Sequence, residues 1–210
     1  MTTLLVIAKQ PLPGRVKTRL TPPFTPAEAA SLAEAALGDT LAAALEVPAD
    51  RHVLVLDGQP GAWLPSGFRL LPQVAGGLDV RLAAAFAAYD GPALLIGMDT
   101  PQVTPAVLAP ALCWEEHDAW FGPASDGGFW ALGLASPDPA LLLGVPMSRP
   151  DTGSVQHARL RAAGLRIGAL PVLRDVDTAE DAALVAAEAP DTRFAALHGT
   201  LTATPAGAGA

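Results

Sequence analysis

The chain has 210 residues, of which 50% are hydrophobic and 16% are charged, and its formal net charge is −8. This composition is too apolar for a disordered chain, and its acidic balance argues against a nucleic-acid partner, because that binding depends on lysine and arginine. No apolar run reaches the roughly 20 residues of a membrane-spanning helix. The single cysteine, Cys113, cannot form an internal disulfide, and with no secretory signal visible we expect a cytoplasmic protein.

The first half of the chain alternates apolar strands with helices. Residues 3–8 (TLLVIA) form a continuous apolar run that predicts a buried parallel strand. A Pro/Gly loop follows at residues 9–14, and Thr25, Pro26 and Glu28 predict the start of a helix that runs to about Leu45. The next predicted elements are a strand at 51–57, an extended segment at 68–71, a helix at 78–88 and a buried strand at 92–98.

The second half continues the alternation. Thr104-Pro105 predicts a helix start, and strands are predicted at 118–122 and 129–134, followed by a helix at 154–163, a strand at 166–172 and a final helix from Thr178. We therefore expect one α/β domain over residues 1–198, a mostly parallel sheet with helices on both faces, and a flexible tail over 199–210. Ligands of such sheets bind beyond the carboxyl ends of the strands.

A basic loop follows the first predicted strand. The chain has only two lysines, Lys9 and Lys17, and with Arg15 and Arg19 they place four of its 13 basic residues within 11 positions. The loop is neither a Walker A motif nor a dinucleotide fingerprint, since both need more glycines than Gly14 alone. Arginine and lysine beside a glycine suit phosphate oxygens, so the loop predicts a site for a nucleoside di- or triphosphate, although a solvated basic loop is the alternative.

Carboxylates lie at the predicted ends of other strands. Asp99 follows the most apolar strand, where it could bind Mg²⁺ or Mn²⁺ or could cap the turn. Asp175 and Asp177 precede the helix cap at Thr178, and one of them could supply a second metal ligand. Asp57 ends the second strand. We expect these groups at one edge of the sheet.

A turn with the sequence Asp126-Gly127-Gly128 separates two predicted strands. It is either an ordinary tight turn or a place where a substrate approaches the backbone, with Asp126 binding a hydroxyl, an amine or a metal. Ser154 has no evident His–Asp partners, so no hydrolase triad is predicted. His157 is expected to be a surface or packed residue of its helix.

The order of these motifs resembles a bacterial family of small proteins with the glycosyltransferase-A fold, which includes arsenosugar-type glycosyltransferases. The resemblance covers roughly residues 3–190 and rests on PGRVKTRL at 13–20, GMDTP at 97–101, DGGF at 126–129 and DVDTAED at 175–181. This family lies among the nucleotide-diphospho-sugar transferases, so the resemblance implies a Rossmann-like sheet, Mg²⁺ or Mn²⁺, a nucleotide substrate and a small-molecule acceptor. The chain departs from the family pattern at Gly77, where an aspartate is usual, and at Ala179, where a proline is usual.

Carried over to this sequence, the resemblance assigns Gly14, Arg15, Lys17, Arg19, Gly127 and Gly128 to nucleotide or sugar binding and Asp99 and Asp177 to metal binding. Their positions at the predicted strand ends add Lys9 and Asp57 to the binding residues. The candidates for catalysis are Asp99, Asp126 and Lys17.

Three functions remain open from the sequence. The first is metal-dependent transfer of a glycosyl group from a nucleotide-diphosphate sugar. The second is nucleotidyl transfer with release of pyrophosphate, because the chain is also similar to phospholactate guanylyltransferases, which share the loop and the late acidic motif but lack the Asp-Gly-Gly-Phe turn. The third is a nucleotide-binding module without catalysis, suggested by Gly77. The sequence names no base, sugar or acceptor and no oligomeric state.

Overall fold

The computed structural model describes residues 1–203 and contains a seven-stranded sheet with the strand order β3-β2-β1-β4-β6-β5-β7. Strands β1 to β4 run parallel, β6 is antiparallel to both β4 and β5, and β7 pairs in parallel with β5. The predicted mostly parallel α/β sheet is therefore confirmed. The strands are β1 (Thr3–Lys9), β2 (Arg51–Asp57), β3 (Phe68–Pro72), β4 (Ala93–Ile96), β5 (Ala119–Pro123), β6 (Phe129–Leu134) and β7 (Ile167–Ala169).

Threonine side chains fix the starts of three helices. The Thr25 hydroxyl accepts from the backbone N–H of Glu28, whose carboxylate accepts in return from the N–H of Thr25. Thr178 forms the same reciprocal pair with Asp181, and Thr104 caps a helix that begins at a proline. The helices are α1 (Pro26–Leu45), α2 (Leu78–Ala87), α3 (Pro105–Leu108), α4 (Thr152–Ala162), α5 (Ala179–Glu188) and α6 (Arg193–Ala203).

The strands alternate their side chains between two hydrophobic cores. Leu4 and Val6 of β1 pack into one core with α1, whereas Leu5 packs into the other with α2 and α4. All three of these side chains are fully buried. Because both faces of the sheet are covered, the central strands read as continuous apolar runs rather than as alternating ones.

A third, smaller core lies outside the two faces of the sheet. It joins Leu20 and Phe24 of the loop after β1 to the outer side of α1, to Val176, and to Phe194 of α6. Leu20 follows the basic loop, and Val176 lies between Asp175 and Asp177. This core therefore packs both candidate segments of the site against the two C-terminal helices.

The C-terminal region differs from the sequence prediction. The single final helix is broken at Ala189, which precedes Pro190 and leaves the helical conformation, because proline restricts the residue before it. A second helix, α6, then extends to Ala203, so the flexible tail predicted from residue 199 is wrong for 199–203, and its remainder lies outside the described residues. β7 is also shorter than the predicted strand. Within residues 1–203, no helix is long and apolar enough to cross a membrane.

An ion pair joins the start of β5 to the edge strand β7. Asp118 accepts from the backbone N–H of Arg166 at 2.9 Å and from its guanidinium at 2.9 Å and 3.0 Å. The hydrogen bonds from Arg166, helped by its positive charge, lower the pKa of Asp118 to about 2.

We predict that this pair adds a pH-dependent contribution to stability. Because the pKa of Asp118 is lower in the folded chain than its ordinary 3.8, the contribution is present above about pH 4 and disappears as the pH falls towards about 2. Urea unfolding of the wild type and of Asp118→Asn should therefore differ near neutral pH and converge at about pH 2. A difference that does not change with pH would contradict the assignment.

Candidate active site

The carboxyl ends of the parallel strands bring the predicted residues to one edge of the sheet. Lys9, the last residue of β1, lies in register with Asp57, the last residue of β2. Asp99 follows the neighbouring strand β4. The backbone carbonyl of Asp99 accepts from the N–H of Val176 at 2.9 Å, which ties the segment before α5 to the same edge. The expected juxtaposition of these strand ends is observed.

Lys17 is at the centre of this edge. Its ammonium lies 2.7 Å from a carboxylate oxygen of Asp99 and 3.2 Å from one of Asp177, and its side chain is only 8% exposed. The backbone at Lys17 is left-handed, with φ 48°, a conformation that non-glycine residues adopt only when their surroundings compensate for it. The two carboxylates supply that compensation.

Opposite charge outweighs burial at Lys17. Burial opposes its positive charge, but the charges of Asp99 and Asp177 and the hydrogen bonds to them have the larger combined effect, so the pKa of Lys17 is raised. Arg19 lies 3.3 Å from the other oxygen of Asp177, with a side chain that is 72% exposed. The loop thus places one buried and one exposed cation against the same carboxylate.

Asp175 has a strongly perturbed ionisation. Burial is the main cause, and the negative charges of Asp99, Asp126 and Asp177 add to it, while Lys17 acts in the opposite sense; together they raise the pKa of Asp175 to about 7. The negative charge near Asp175 therefore exceeds what the Lys17 ammonium offsets. Carboxylates grouped in this way are one arrangement that can receive a cation.

The Asp126-Gly127-Gly128 turn borders the same cluster. Asp126 is exposed, and one of its oxygens accepts from the N–H of Gly128 at 2.8 Å, so the ordinary tight turn is present. Gly127 has φ 90°, and a Cβ at this position would overlap the carbonyl oxygen of Pro150. Only glycine can occupy this position, which brings backbone rather than side chains to the rim of the site.

The remaining predicted residues lie around the rim. Lys9 and Arg15 are exposed, and Gly14 has φ 73° in the loop between them. Asp57 forms an ion pair with Arg81 at 2.9 Å, and Arg81 also donates to Gln73 and to the carbonyl of Gly76. Sequence reasoning missed this network. Its only signal was an arginine one helical turn after the Gly76-Gly77 pair.

The donor set fits a divalent ion only together with a phosphate. Within residues 1–203, no three histidine, cysteine, aspartate or glutamate side chains are arranged as a metal site. Mg²⁺ is usually held by one or two carboxylates together with phosphate oxygens of the substrate. Asp99 and Asp177 could supply the two carboxylates, and they lie beside Asp175, whose pKa is raised in part by their negative charges.

Comparison with known proteins gives the family. A family model described as "Uncharacterized protein conserved in bacteria (DUF2064)" matches residues 30–149, which is more than half of the chain. The chain belongs to the DUF2064 family. Two relatives, both named phosphoenolpyruvate guanylyltransferase, support the placement along the whole chain. The protein from Thermomonospora curvata is 35% identical, covering 99% of this chain and 93% of the relative, and that from Streptomyces avermitilis is 34% identical, covering 88% and 90%.

Solved structures agree with this placement. A candidate nucleotide-diphospho-sugar transferase from Desulfovibrio desulfuricans G20 is 26% identical and superimposes with a TM-score of 0.88, covering 96% of this chain and 95% of the other. Rv0371c from Mycobacterium tuberculosis H37Rv, solved as a manganese complex, shares the fold at 22% identity and a TM-score of 0.55, covering 88% and 96%. The family resemblance inferred from the motifs is confirmed, and the chain is a transferase enzyme.

We predict that Lys17 is needed mainly to compensate the charge of its neighbours. Lys17→Met should lower the free energy of unfolding by about 1–3 kcal/mol in EDTA, because hydrogen bonds to charged groups are lost and the carboxylates repel one another. The double variant Lys17→Met/Asp177→Asn should recover part of this loss. Arg19→Met, which removes an exposed partner of the same carboxylate, should cost less than about 1 kcal/mol. Equal losses at Lys17 and Arg19 in urea unfolding would contradict this account.

Proposed function

We propose that the enzyme transfers a nucleotidyl group, with guanylyl transfer from GTP as the first choice, to a phosphorylated small molecule. The observation that carries this proposal is the near full-length similarity to two proteins named phosphoenolpyruvate guanylyltransferase. The sequence alone favoured glycosyl transfer over nucleotidyl transfer, and this similarity reverses that preference. The basic loop and the carboxylate cluster at the sheet edge support a triphosphate as readily as a diphosphate.

The reaction breaks one phosphoanhydride bond and forms another. A phosphate oxygen of the acceptor attacks the α-phosphorus of the nucleotide, the bond from the α-phosphorus to the bridging oxygen breaks, and pyrophosphate leaves with that oxygen. Negative charge accumulates on the pyrophosphate as the bond breaks. Fixed cations that stabilise such developing charge often make the greatest single contribution to the rate acceleration.

The chain's own cations are arranged for this task. Arg15 and Arg19 are exposed on the loop and can contact phosphate oxygens directly, while Lys17 is buried and paired. We assign Arg15 and Arg19, with Lys9 and Gly14, to binding the phosphates. Lys17 is assigned to holding Asp99 and Asp177 in position and to contributing its charge to the transition state.

Asp99 and Asp177 would hold a divalent ion, Mg²⁺ or Mn²⁺, with phosphate oxygens completing its coordination. Such an ion would neutralise phosphate charge and relieve the repulsion among the carboxylates that surround Asp175. The manganese complex of Rv0371c supports this assignment at the level of the shared fold.

Glycosyl transfer is the second candidate, and two observations favour it. The Asp126-Gly127-Gly128 turn borders the cluster, and the D. desulfuricans structure with a TM-score of 0.88 is a candidate nucleotide-diphospho-sugar transferase. In that reaction Asp126 would orient the acceptor hydroxyl or accept its proton. The by-product separates the two reactions, since nucleotidyl transfer releases pyrophosphate and sugar transfer releases a nucleoside diphosphate.

We predict pyrophosphate release from GTP that depends on a divalent ion and on a phosphorylated acceptor. The assay uses each of the four NTPs and a panel of nucleotide-diphosphate sugars, with Mg²⁺, Mn²⁺ or EDTA, and with phosphoenolpyruvate as the first acceptor. Asp99→Asn should reduce turnover by about 100-fold. A nucleotide at about 100 times its Kd should also stabilise the fold by about 2.7 kcal/mol.

Asp118→Asn is the matched control, because it makes the same chemical change away from the site. Asp118 lies just before the amino end of β5, whereas Asp99 follows the carboxyl end of β4. It should retain wild-type turnover. A nucleoside diphosphate released from a nucleotide sugar, without pyrophosphate from any NTP, would reject nucleotidyl transfer in favour of glycosyl transfer. Full activity of Asp99→Asn would reject the site assignment for both reactions.

A further inference from the structure

A groove lies between α4 and the edge strand β7, beside the Asp126-Gly127-Gly128 turn. Its volume is about 730 Å³, which lies within the usual range of small-molecule sites, about 300–1,000 Å³. Its lining includes Phe121, Ser154, His157, Ala158, Arg161 and Leu170.

The groove opens at the candidate active site. Gly127 and Gly128 form part of its wall, and the charge of Asp126, the residue before them, acts on Asp175 in the carboxylate cluster. The first turn of α4 is packed closely against this wall, because the N–H of Gly153 donates to the carbonyl of Gly127 at 2.8 Å. A Cβ on Gly153 would overlap the carbonyl oxygen of Gly128. The Asp126-Gly127-Gly128 turn is therefore shared by the groove and the candidate active site.

The floor of the groove is apolar. Phe121 and Leu170 are 6% and 5% exposed, and the ring of His157 lies edge-on to that of Phe121 with the ring centres 5.4 Å apart. Together with Ala158 and Ile167, which also line the groove, they give it a mainly apolar lining that favours an apolar or aromatic ligand body.

One face of α4 supplies polar groups along the groove. Ser154, His157 and Arg161 follow the helical spacing i, i+3 and i+7, so they lie along one side over a rise of about 10 Å. Ser154 donates to the carbonyl of Asp151, which leaves its oxygen able to accept. The guanidinium of Arg161 is exposed and has no hydrogen bond or ion pair with any residue of the described chain.

Arg161, like Arg15 and Arg69, forms no ion pair with another residue of the described chain, and it is the one arginine in the groove lining. Its guanidinium is therefore available to a ligand in the groove. A guanidinium matches the planar geometry of carboxylates and the oxygens of phosphates and sulfonates. The groove thus combines an apolar floor with a cation about 10 Å along α4 from Ser154.

We propose that this groove binds the part of the acceptor that does not react, and that this part is an apolar or aromatic body with an anionic group at Arg161. The identification of the ligand as the acceptor rests on the proposed function, whereas the binding of an organic anion does not. A three-carbon acid is too short to extend along the roughly 10 Å of α4 between Ser154 and Arg161. The proposal therefore implies an acceptor larger than phosphoenolpyruvate.

The binding test uses 8-anilinonaphthalene-1-sulfonate, whose aromatic rings carry one anionic group. We expect saturable fluorescence with the wild type, and a Kd raised about tenfold in Arg161→Gln. Ala158→Trp, which fills the groove without changing its charge, should also abolish saturable binding. Arg69→Gln is the matched control, because Arg69 is exposed and has no ion pair. It lies on β3, the outermost strand on the side of the sheet away from β7. Unchanged affinity in both groove variants, or an equal effect of Arg69→Gln, would overturn the site.

The acceptor assignment has a separate readout. Pyrophosphate release with GTP is compared for phosphoenolpyruvate and its 3-phenyl derivative, which differ only by an apolar ring. We expect at least tenfold higher kcat/KM for the phenyl derivative in the wild type, and no preference in Ala158→Trp. Equal kcat/KM in the wild type would overturn the acceptor assignment. Anion binding through Arg161 without pyrophosphate from any acceptor would keep the groove and reject the proposed reaction.

Discussion

The ammonium of Lys17 lies between the carboxylates of Asp99 and Asp177, and the arrangement of the site depends on this contact. A charge that is almost completely buried is tolerated only when it is paired and hydrogen-bonded. Here the two partners come from distant parts of the chain, one after β4 and one before α5. The contact therefore fixes the basic loop, the Asp99 turn and the late acidic segment relative to one another, and removal of any one of them leaves charge without compensation.

The third hydrophobic core provides the mechanical support for this contact. Leu20 anchors the end of the basic loop, Val176 anchors the segment between Asp175 and Asp177, and Phe194 of α6 contributes to the same cluster. All three side chains are almost completely buried. The C-terminal helices thus support the charged cluster from outside the sheet, although they contribute no charged group to the Lys17 contact itself.

Around the cluster, the site has two sides of different chemistry. The loop from Lys9 to Arg19 is cationic and suits phosphates, while the groove beside α4 is apolar with one unpaired arginine. The Asp126-Gly127-Gly128 turn lines the groove, and the charge of Asp126 acts on Asp175 in the carboxylate cluster. Its glycines allow the backbone to pass close to α4. A donor on one side and an acceptor on the other would meet at this turn, which is the geometry that a group transfer requires.

Local signals in the sequence determined most of the elements. The Thr-Pro helix starts, the apolar strands and the clustering of cations after β1 were all readable, because capping, burial and periodicity act over a few residues. Pro190 is also a local signal, because proline ends a helix. The separate helix α6, which extends to Ala203, was not predicted, since the Ala/Gly-rich composition after it indicated a flexible tail.

The sequence by itself determined that the candidate phosphate- and metal-binding residues would share one edge of a parallel sheet; their binding roles stay predictions. Only the tertiary structure decided how they are paired: that Lys17 is buried between Asp99 and Asp177, that Asp57 is bound to Arg81, and that Asp175 is desolvated so that its pKa rises to about 7. It also decided that Arg161 has no partner within the described chain and faces a groove. The physical reason is that pairing and desolvation depend on distances between segments far apart in the chain, which no local pattern of residues encodes.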